Sequence, residues 1–369
     1  MIHKSDQKQD WEMYCAQELN ILKPILSSYG YALDPVQKHL QGERYLMHAI
    51  TTTHGKKLIL TGSYINGPRV VIKATRDTAG KMELIHEHIC RNFLHTIDFA
   101  GDVFHTPEEI SFLKTKGFVI SIQRFIEQPN SFLDRPVTEQ FSLALRAFKS
   151  QESAHATTFK HRRAIKNIYE IRSGKNYIQN FHLFIKNITN VLGETHEVIS
   201  YLKRALATLR ENEKNIEQYC DFLTHTDFVP HNIRVADNTI YLLDHSSLTF
   251  GNKYEGWARF INFMTLYNPP LAHALKKYVR DNRSSEEAIS LRMMQIYRLG
   301  EIIWYYVRGT SLSSGNLKLL NTSRITFWNE VLSSVLDEKE VSAETIERYK
   351  QTRDSLRSED EKKRQEGLH

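Results

Sequence analysis

Cysteine is too scarce in this chain to hold it together. Cys15, Cys90 and Cys220 are the only three in 369 residues. They lie far apart in apolar surroundings, form no metal-ligand spacing and leave one unpaired, which suits a reducing cytoplasm. Long apolar runs are missing too. None approaches the ~18 residues of a membrane-spanning helix, and the polar first ten residues lack the apolar stretch of a secretory leader. Histidine is frequent, at 17 residues, yet scattered. His86/His88 and His3/His39 have no ligand partners at useful spacing and read as surface residues. No internal repeat and no nucleic-acid-binding motif is found, so no nucleic-acid partner is expected. Acidic excess is also lacking. The formal charge is +6 and the pI about 9.0. A pocket for a polycation needs an acidic floor, so this balance counts against such a ligand and leaves neutral or anionic ones open. The densest basic patch, Lys160 to Arg163 with Lys166, reads as a solvated helix face; an anionic substrate, lipid or nucleic acid is the sharper alternative.

Hydrophobic residues at 41% and charged residues at 25% are ordinary for a globular protein, and the length suffices for two lobes with substantial cores. The most informative stretch is His225-Thr226-Asp227-Phe228-Val229-Pro230-His231-Asn232. It reads H-x-D-x-x-x-x-N and is followed by Asp244 at the end of an apolar strand. Phosphoryl transfer needs one carboxylate to orient a hydroxyl, and an amide and a second carboxylate to hold magnesium on nucleotide phosphates. Those groups occur here in that order. Residues 233–235 alternate as a strand, Asp237-Asn238 is a two-residue turn, and residues 239–243 read as the return strand. With the turn at 237–238, residue 236 pairs with 239 and 232 faces 243. Asn232 and Asp244 then meet at the open end of one hairpin.

Upstream, Val70-Val71-Ile72-Lys73 is a β-branched run ending in lysine, preceded by an Asn66-Gly67 hairpin signal and a strand over residues 58–64. An earlier strand is expected over 45–52. The loop 53–57, with Lys57, is one candidate for a flap over phosphates, and the turn at 41–44 is a second. A helix over residues 78–95 follows. Met82, Ile85, Ile89 and Phe93 recur as its core face, while Glu83 and Glu87 share another stripe with Cys90 and Leu94. One of the two glutamates should reach Lys73. Residues 118–127 read as a buried strand running into the polar linker 128–131.

The N-terminal stretch 10–28 looks helical, with Trp11, Tyr14, Leu19, Leu22 and Leu26 on its apolar side and Gly30 ending it. Further helices are expected at about 138–155, 175–192, 195–218, 255–267, 270–281, 286–308 and 323–335. The chain therefore divides into an N-terminal helical segment (1–34), a sheet-plus-helix lobe (35–127), a mostly helical lobe (128–336) and a charged tail (337–369), frayed at its end. The helices at 160–215, with Thr249, Phe250, Tyr254 and Trp257, are expected to line a substrate pocket.

These pieces resemble the aminoglycoside phosphotransferase and choline kinase group of small-molecule kinases. The matching motifs are VVIK ending at Lys73, the helix with Glu87, QRFIE before the linker, SAHATT around His155, HTDFVPHN, and YLLD ending at Asp244; they fall within residues 35–270. The resemblance implies an α+β, two-lobed protein-kinase-like fold, with an N-terminal antiparallel sheet plus helix and a larger helical lobe. It implies an ATP- or GTP-dependent transfer of the γ-phosphate to a small-molecule hydroxyl by a cytoplasmic monomer or homodimer. Asp227 is then the catalytic base, Asn232 and Asp244 the Mg²⁺ ligands, and Lys73 is paired with Glu87. Gln123 lies at the back of the adenine pocket, and the main chains of Arg124 and Ile126 meet the adenine edge. Three departures qualify the likeness. Thr226 replaces the Arg that reads a phosphorylated activation loop in protein kinases. Asp244 is followed by His245-Ser246 rather than Phe-Gly, without a later A-P-E. Glu255 is the nearest carboxylate where the group carries an Asp before a helix. The first argues against that kind of control, and the missing Phe-Gly and A-P-E favour a small-molecule kinase over a protein kinase. A catalytically silent kinase-like module and a glycolipid or sugar kinase are the alternative readings.

Overall fold

The computed structural model describes residues 4–40, 55–97, 105–158, 161–359 and 361–362. The strand expected over 45–52, the turn at 41–44, residues 53 and 54 of the other flap loop, Lys160 and the end of the charged tail lie outside them.

The chain opens with a helix, α1 (Lys4–Ser28). Cys15, Leu22, Ile25 and Leu26 fall on one face at helical spacing and are buried. Gly30, at φ +82°, turns the chain back, a conformation glycine adopts at little cost. Short strand β1 (Tyr31–Leu33) then starts a sheet with β2 (Leu58–Tyr64), β3 (Arg69–Thr75), β4 (Glu109–Thr115) and β5 (Phe118–Arg124). Its order is β1-β2-β3-β5-β4, and each neighbouring pair is antiparallel. Strand periodicity sorts the residues of β3 and β5 between two faces. Val70, Ile72, Ala74, Ile120 and Ile122 pack with Leu58, Leu60 and the apolar face of α1. Lys73 pairs with Ser121 and Val71 with Gln123 on the other face.

That second face is covered by α2 (Thr78–His95), capped by Asp77, which accepts from the Gly80 amide at 2.9 Å. The helix stands where expected, but its buried face is not the expected one. Met82 is 69% and Ile89 44% exposed, whereas Leu84, Glu87, Cys90, Arg91 and Leu94 are buried. Two charged residues can face inward because they neutralise each other, and apolar periodicity cannot see such a stripe. Strand β4 was not anticipated individually.

The second lobe is helical: α3 (Val137–Thr158), α4 (Arg162–Ile168), α5 (Gly174–Leu192), α6 (Glu197–Glu211), α7 (Glu213–Gln218), α8 (Glu255–Tyr267), α9 (Pro269–Asn282), α10 (Ser285–Leu312), α11 (Gly315–Leu336) and α12 (Ala343–Leu356). The helix expected over 195–218 breaks at Asn212. The one expected from 323 starts at Gly315, with Leu317 and Leu320 buried on its first turns. The segment expected as a charged tail contains α12, which docks through buried Ile346 and Tyr349; the Tyr349 ring stacks on Phe327 at 4.4 Å. No described helix is long and apolar enough to cross a membrane.

Two small β-ribbons interrupt the helices. Strand β6 (Phe222–His225) pairs with β9 (Leu248–Gly251), and β7 (Ile233–Ala236) with β8 (Thr239–Leu242). Asp237 and Asn238 both take positive φ, as a two-residue primed turn requires. The register is the expected one: Ala236 faces Thr239, and the Leu243 amide donates to the Asn232 carbonyl at 2.9 Å.

Candidate active site

The loop between β6 and β7 presents Asp227. The His225 ring, fully buried, donates from Nε2 to the Leu243 carbonyl at 2.9 Å. The Thr226 amide and hydroxyl both donate to the Ser247 carbonyl at 2.9 Å. The loop carrying Asp227 is thereby tied to the loop carrying Asp244. His155 on α3 stacks on Phe222 at 4.1 Å and braces the entry to the loop. Arg234 donates to the carbonyls of His231 and Ile233 at 3.3 and 2.8 Å and closes the turn that follows.

Both oxygens of Asp227 are occupied. Arg259, on α8, donates from Nε and Nη2 to Oδ1 at 3.0 and 2.9 Å. Asn232 donates from Nδ2 to Oδ2 and to the Asp227 carbonyl, each at 2.9 Å. Burial alone would raise this carboxyl, but Arg259, His231 and His225 hold it well below the usual carboxylate range. It is ionised at every working pH. Because Asn232 spends its NH₂ on Asp227, the planar amide turns its Oδ1 the opposite way.

Asp244 takes a left-handed conformation, φ 58° and ψ 65°, an uncommon one for a side-chain-bearing residue outside a turn. Its carboxylate accepts from Ser246 Oγ at 2.6 Å and Ser247 Oγ at 3.3 Å, and no cationic side chain among the described residues pairs with it. An unpaired carboxylate beside an outward-turned amide oxygen fits the hard-oxygen donor set of Mg²⁺, which keeps waters and phosphate oxygens as its remaining ligands. Asn232 and Asp244 are the residues that would hold it.

The next residue, His245, is 1% exposed and lies against α2, with neither ring nitrogen hydrogen-bonded. Burial and the nearby charge of Arg91 push it down to about 3, so it packs as a neutral ring. It brings the Asp244 loop beneath α2 and its charged stripe. There Lys73 Nζ donates to both oxygens of Glu87, at 2.7 and 2.8 Å, while Lys57 pairs with Glu83. The choice between the two glutamates is thereby made. Desolvation would raise Glu87, but Lys73 and Arg91 hold it down at about 2.

The pair continues into a chain the sequence reading did not contain. Arg91, 2% exposed, donates to Glu87 Oε1 at 3.0 Å and to Glu109 Oε1 at 2.9 Å. Ser121 Oγ donates to Glu109 at 2.6 Å, Gln123 Nε2 donates to Ser121 Oγ at 3.1 Å, and His88 meets Glu109 from outside at 2.5 Å. Buried Gln123 is thus linked to Lys73 through hydrogen bonds. The signal for Arg91 was present in the sequence, since it lies one helical turn after Glu87. Nothing local pointed to Glu109 or Arg259, which join the site only through the tertiary fold.

At the linker, the Arg124 amide is taken by the Glu108 carbonyl at 2.8 Å, and its side chain by the Glu108 carboxylate at 2.7 Å. The adenine contact expected from its main chain therefore narrows to the carbonyl. Ile126 follows two residues beyond the strand. Gly55, the glycine of one flap candidate, packs against the start of α2, where a Cβ would come within 1.7 Å of the Gly80 amide. Its smallness serves that close approach. The rings expected to line the pocket are core: Tyr254 is 0%, Trp257 1% and Phe250 4% exposed, with Thr249 at 6%. Trp257 stacks on Phe148 at 4.1 Å. In the basic patch, Arg162 is paired with Asp221 at 2.8 Å, as suits a solvated face.

No family model and no curated protein matches the chain in sequence. Solved structures do match in shape. A ternary complex of a thermostable mutant of aminoglycoside phosphotransferase APH(4)-Ia with AMP-PNP and hygromycin B superposes with a TM-score of 0.52 at 15% identity, over 77% of this chain and 93% of that one. The macrolide 2'-phosphotransferase MphH from Brachybacterium faecium gives 0.51 at 13% identity, over 84% and 98%. The gentamicin complex of APH(2")-IIa gives 0.50 at 13%, over 73% and 87%. The chain thus has the two-lobed, kinase-like fold of the small-molecule phosphotransferases, as the motifs led us to expect. At these identities the likeness speaks for the fold, and chemistry must be argued from the site.

Proposed function

We propose that the protein is a nucleotide-dependent phosphotransferase that moves the γ-phosphate of ATP or GTP to a hydroxyl of a small molecule. The observation that carries this reading is the tying of Asp227, Asn232 and, through Thr226 and Ser247, Asp244 into one hydrogen-bonded unit, with a half-buried Lys73 paired to buried Glu87. Asp227 accepts the hydrogen of the acceptor hydroxyl and aims its oxygen. Held so acidic, it orients more than it abstracts, which suits a loose phosphoryl transition state. Lys73, fixed by Glu87, binds the nucleotide phosphates. Asn232 and Asp244 would hold Mg²⁺, which would supply charge neutralisation for the phosphates. The linker carbonyl of Arg124 and the amide of Ile126 receive the base. All five polar groups are present in the chain, which favours a working enzyme over a silent module.

The test is nucleotide turnover with Mg²⁺ against a panel of hydroxyl compounds, with Asp227→Ala as the blank. General-base removal should lower turnover by ~10²–10⁴-fold. Asp244→Ala should abolish it at least as fully, with the fold retained by circular dichroism. Near-normal turnover in Asp244→Ala would refute the metal assignment.

A further inference from the structure

Helix α2 buries charge where apolar residues were available. Met82 and Ile89 stand in solvent, while Glu87 and Arg91 are buried. A buried chain of ion pairs stabilises a fold no better than well-packed apolar side chains of similar volume, so stability alone does not account for an arginine at this place. Its contacts supply another reason.

The Arg91 guanidinium holds three partners. Nη2 donates to Glu87 Oε1 at 3.0 Å, Nη1 to Glu109 Oε1 at 2.9 Å and Nε to Thr106 Oγ1 at 3.3 Å. The first contact joins the pair with Lys73, because Glu87 Oε1 also accepts from Lys73 Nζ at 2.7 Å. The other two lie on the segment leading into β4. That segment reaches the second lobe. The Leu242 amide donates to the His105 carbonyl at 2.9 Å, and the His105 and Tyr241 rings lie 5.9 Å apart. Leu242 ends β8, two residues before Asp244. On the other side of Asp244, the turn that starts at His245 packs against α2 as well. One path of contacts therefore runs from Lys73 through Glu87, Arg91, Thr106 and His105 to the strand that leads into Asp244.

A lysine ammonium sits on a flexible four-carbon stem, whereas a guanidinium is a rigid planar fork. Lys73 spends two of its three N–H donors on Glu87 and keeps one. The plane of the Glu87 carboxylate sets where that last donor points, and Arg91 restrains the plane by holding Oε1. In chemistry that depends on placement, a shift of ~1 Å can cost ~10²-fold in rate.

We propose that Arg91 is a positioning residue: it orients the Lys73–Glu87 pair for the nucleotide phosphates, braced on the segment that also ties down the Asp244 hairpin. The proposal rests on the kinase reading above, in which Lys73 meets those phosphates.

Binding to the full-length chain is measured by calorimetry for Mg·ATP and Mg·GTP, and for adenosine and guanosine, which offer Lys73 no phosphate. The variants are Arg91→Met, Lys73→Met and the two combined. Arg91→Met/Glu109→Gln is added because it strands no buried carboxylate, and circular dichroism confirms that each variant is folded. We expect loss of Arg91 to raise the Kd of the nucleotide that binds ~10-fold, the weight of one charge-assisted hydrogen bond, whether or not Glu109 is also replaced. Affinity for the matching nucleoside should not move. In the Lys73→Met background, loss of Arg91 should change nothing further, since it acts through the missing ammonium. An equal fall in nucleotide and nucleoside affinity would make Arg91 a purely structural cross-link and overturn the proposal. Unchanged nucleotide binding, or full additivity with Lys73→Met, would overturn it too and leave the kinase standing. A wild-type chain that binds neither nucleotide would overturn the kinase reading, and this proposal with it.

Discussion

Two polar regions treat charge in opposite ways. Under the sheet, Lys73, Glu87, Arg91 and Glu109 alternate in sign along one hydrogen-bonded chain that ends on Ser121 and Gln123. In the helical lobe, Arg308 and Arg324 lie against rings and have no carboxylate partner among the described residues. A neutralised chain fixes geometry, because each member has its partner before any ligand arrives. Uncompensated guanidiniums cost self-repulsion that no carboxylate offsets. The first region has its charges matched within the protein, and the second does not.

Cutting the neutral chain is the severest way to break this comparison. Arg91→Met keeps the length of the side chain and leaves Glu109 buried with only His88 and Ser121. Removing one partner of a buried ion pair costs ~3–5 kcal/mol. Because Glu87 keeps Lys73, we expect about 3 kcal/mol, read as a lower urea midpoint. Adding Glu109→Gln should recover part of that loss, since the stranded charge is then gone. An unchanged midpoint in Arg91→Met would show that the chain is not a structural unit.

The same contrast explains what could be read in advance. Turn chemistry at Asp237-Asn238 and strand alternation set the register that brings Asn232 to Leu243, so that part of the site followed from local rules. Gly30, the hairpin at Asn66-Gly67 and the ends of α2 were legible for the same reason. The buried face of α2 was not. Periodicity assigns the core to Met82 and Ile89, but a lobe boundary rewards paired charges, so Glu87 and Arg91 turned inward. Docking of α12 rests on Ile346 and Tyr349, two apolar side chains diluted by charged neighbours. Arg259 and Glu109 reach the site through tertiary contacts that no local pattern encodes.

Arg259 spends its charge on Asp227, the carboxylate we propose as catalytic. Its loss should move a pH profile. With Arg259 present, Asp227 is held below its ordinary range, so kcat/KM should stay flat on the acid side down to acid unfolding. The sign follows from the depression: Asp227 protonates only when pH falls through its lowered native pKa. In Arg259→Gln the carboxyl should return toward the ordinary Asp value of about 4, and an acid limb should appear there. Superimposable profiles for wild type and variant would mean that Arg259 does not govern the charge of Asp227.

The smallest expected effect is the one that most sharpens the contrast. If no carboxylate neutralises Arg308 and Arg324, removing their charge should cost less than cutting the paired chain. Arg324→Gln gives up a cation–π contact with Tyr306 worth ~0.5–1 kcal/mol and hydrogen bonds to Asn321 and to the Tyr349 side chain. It also relieves repulsion from its neighbours, and Arg308→Gln frees a shielded Nε that has no partner. The relief offsets part of the losses, so the double variant should unfold about 1–2 kcal/mol below wild type, against about 3 for Arg91→Met. A loss in the double variant as large as that of Arg91→Met would show that the unpaired region is held as firmly as the paired one.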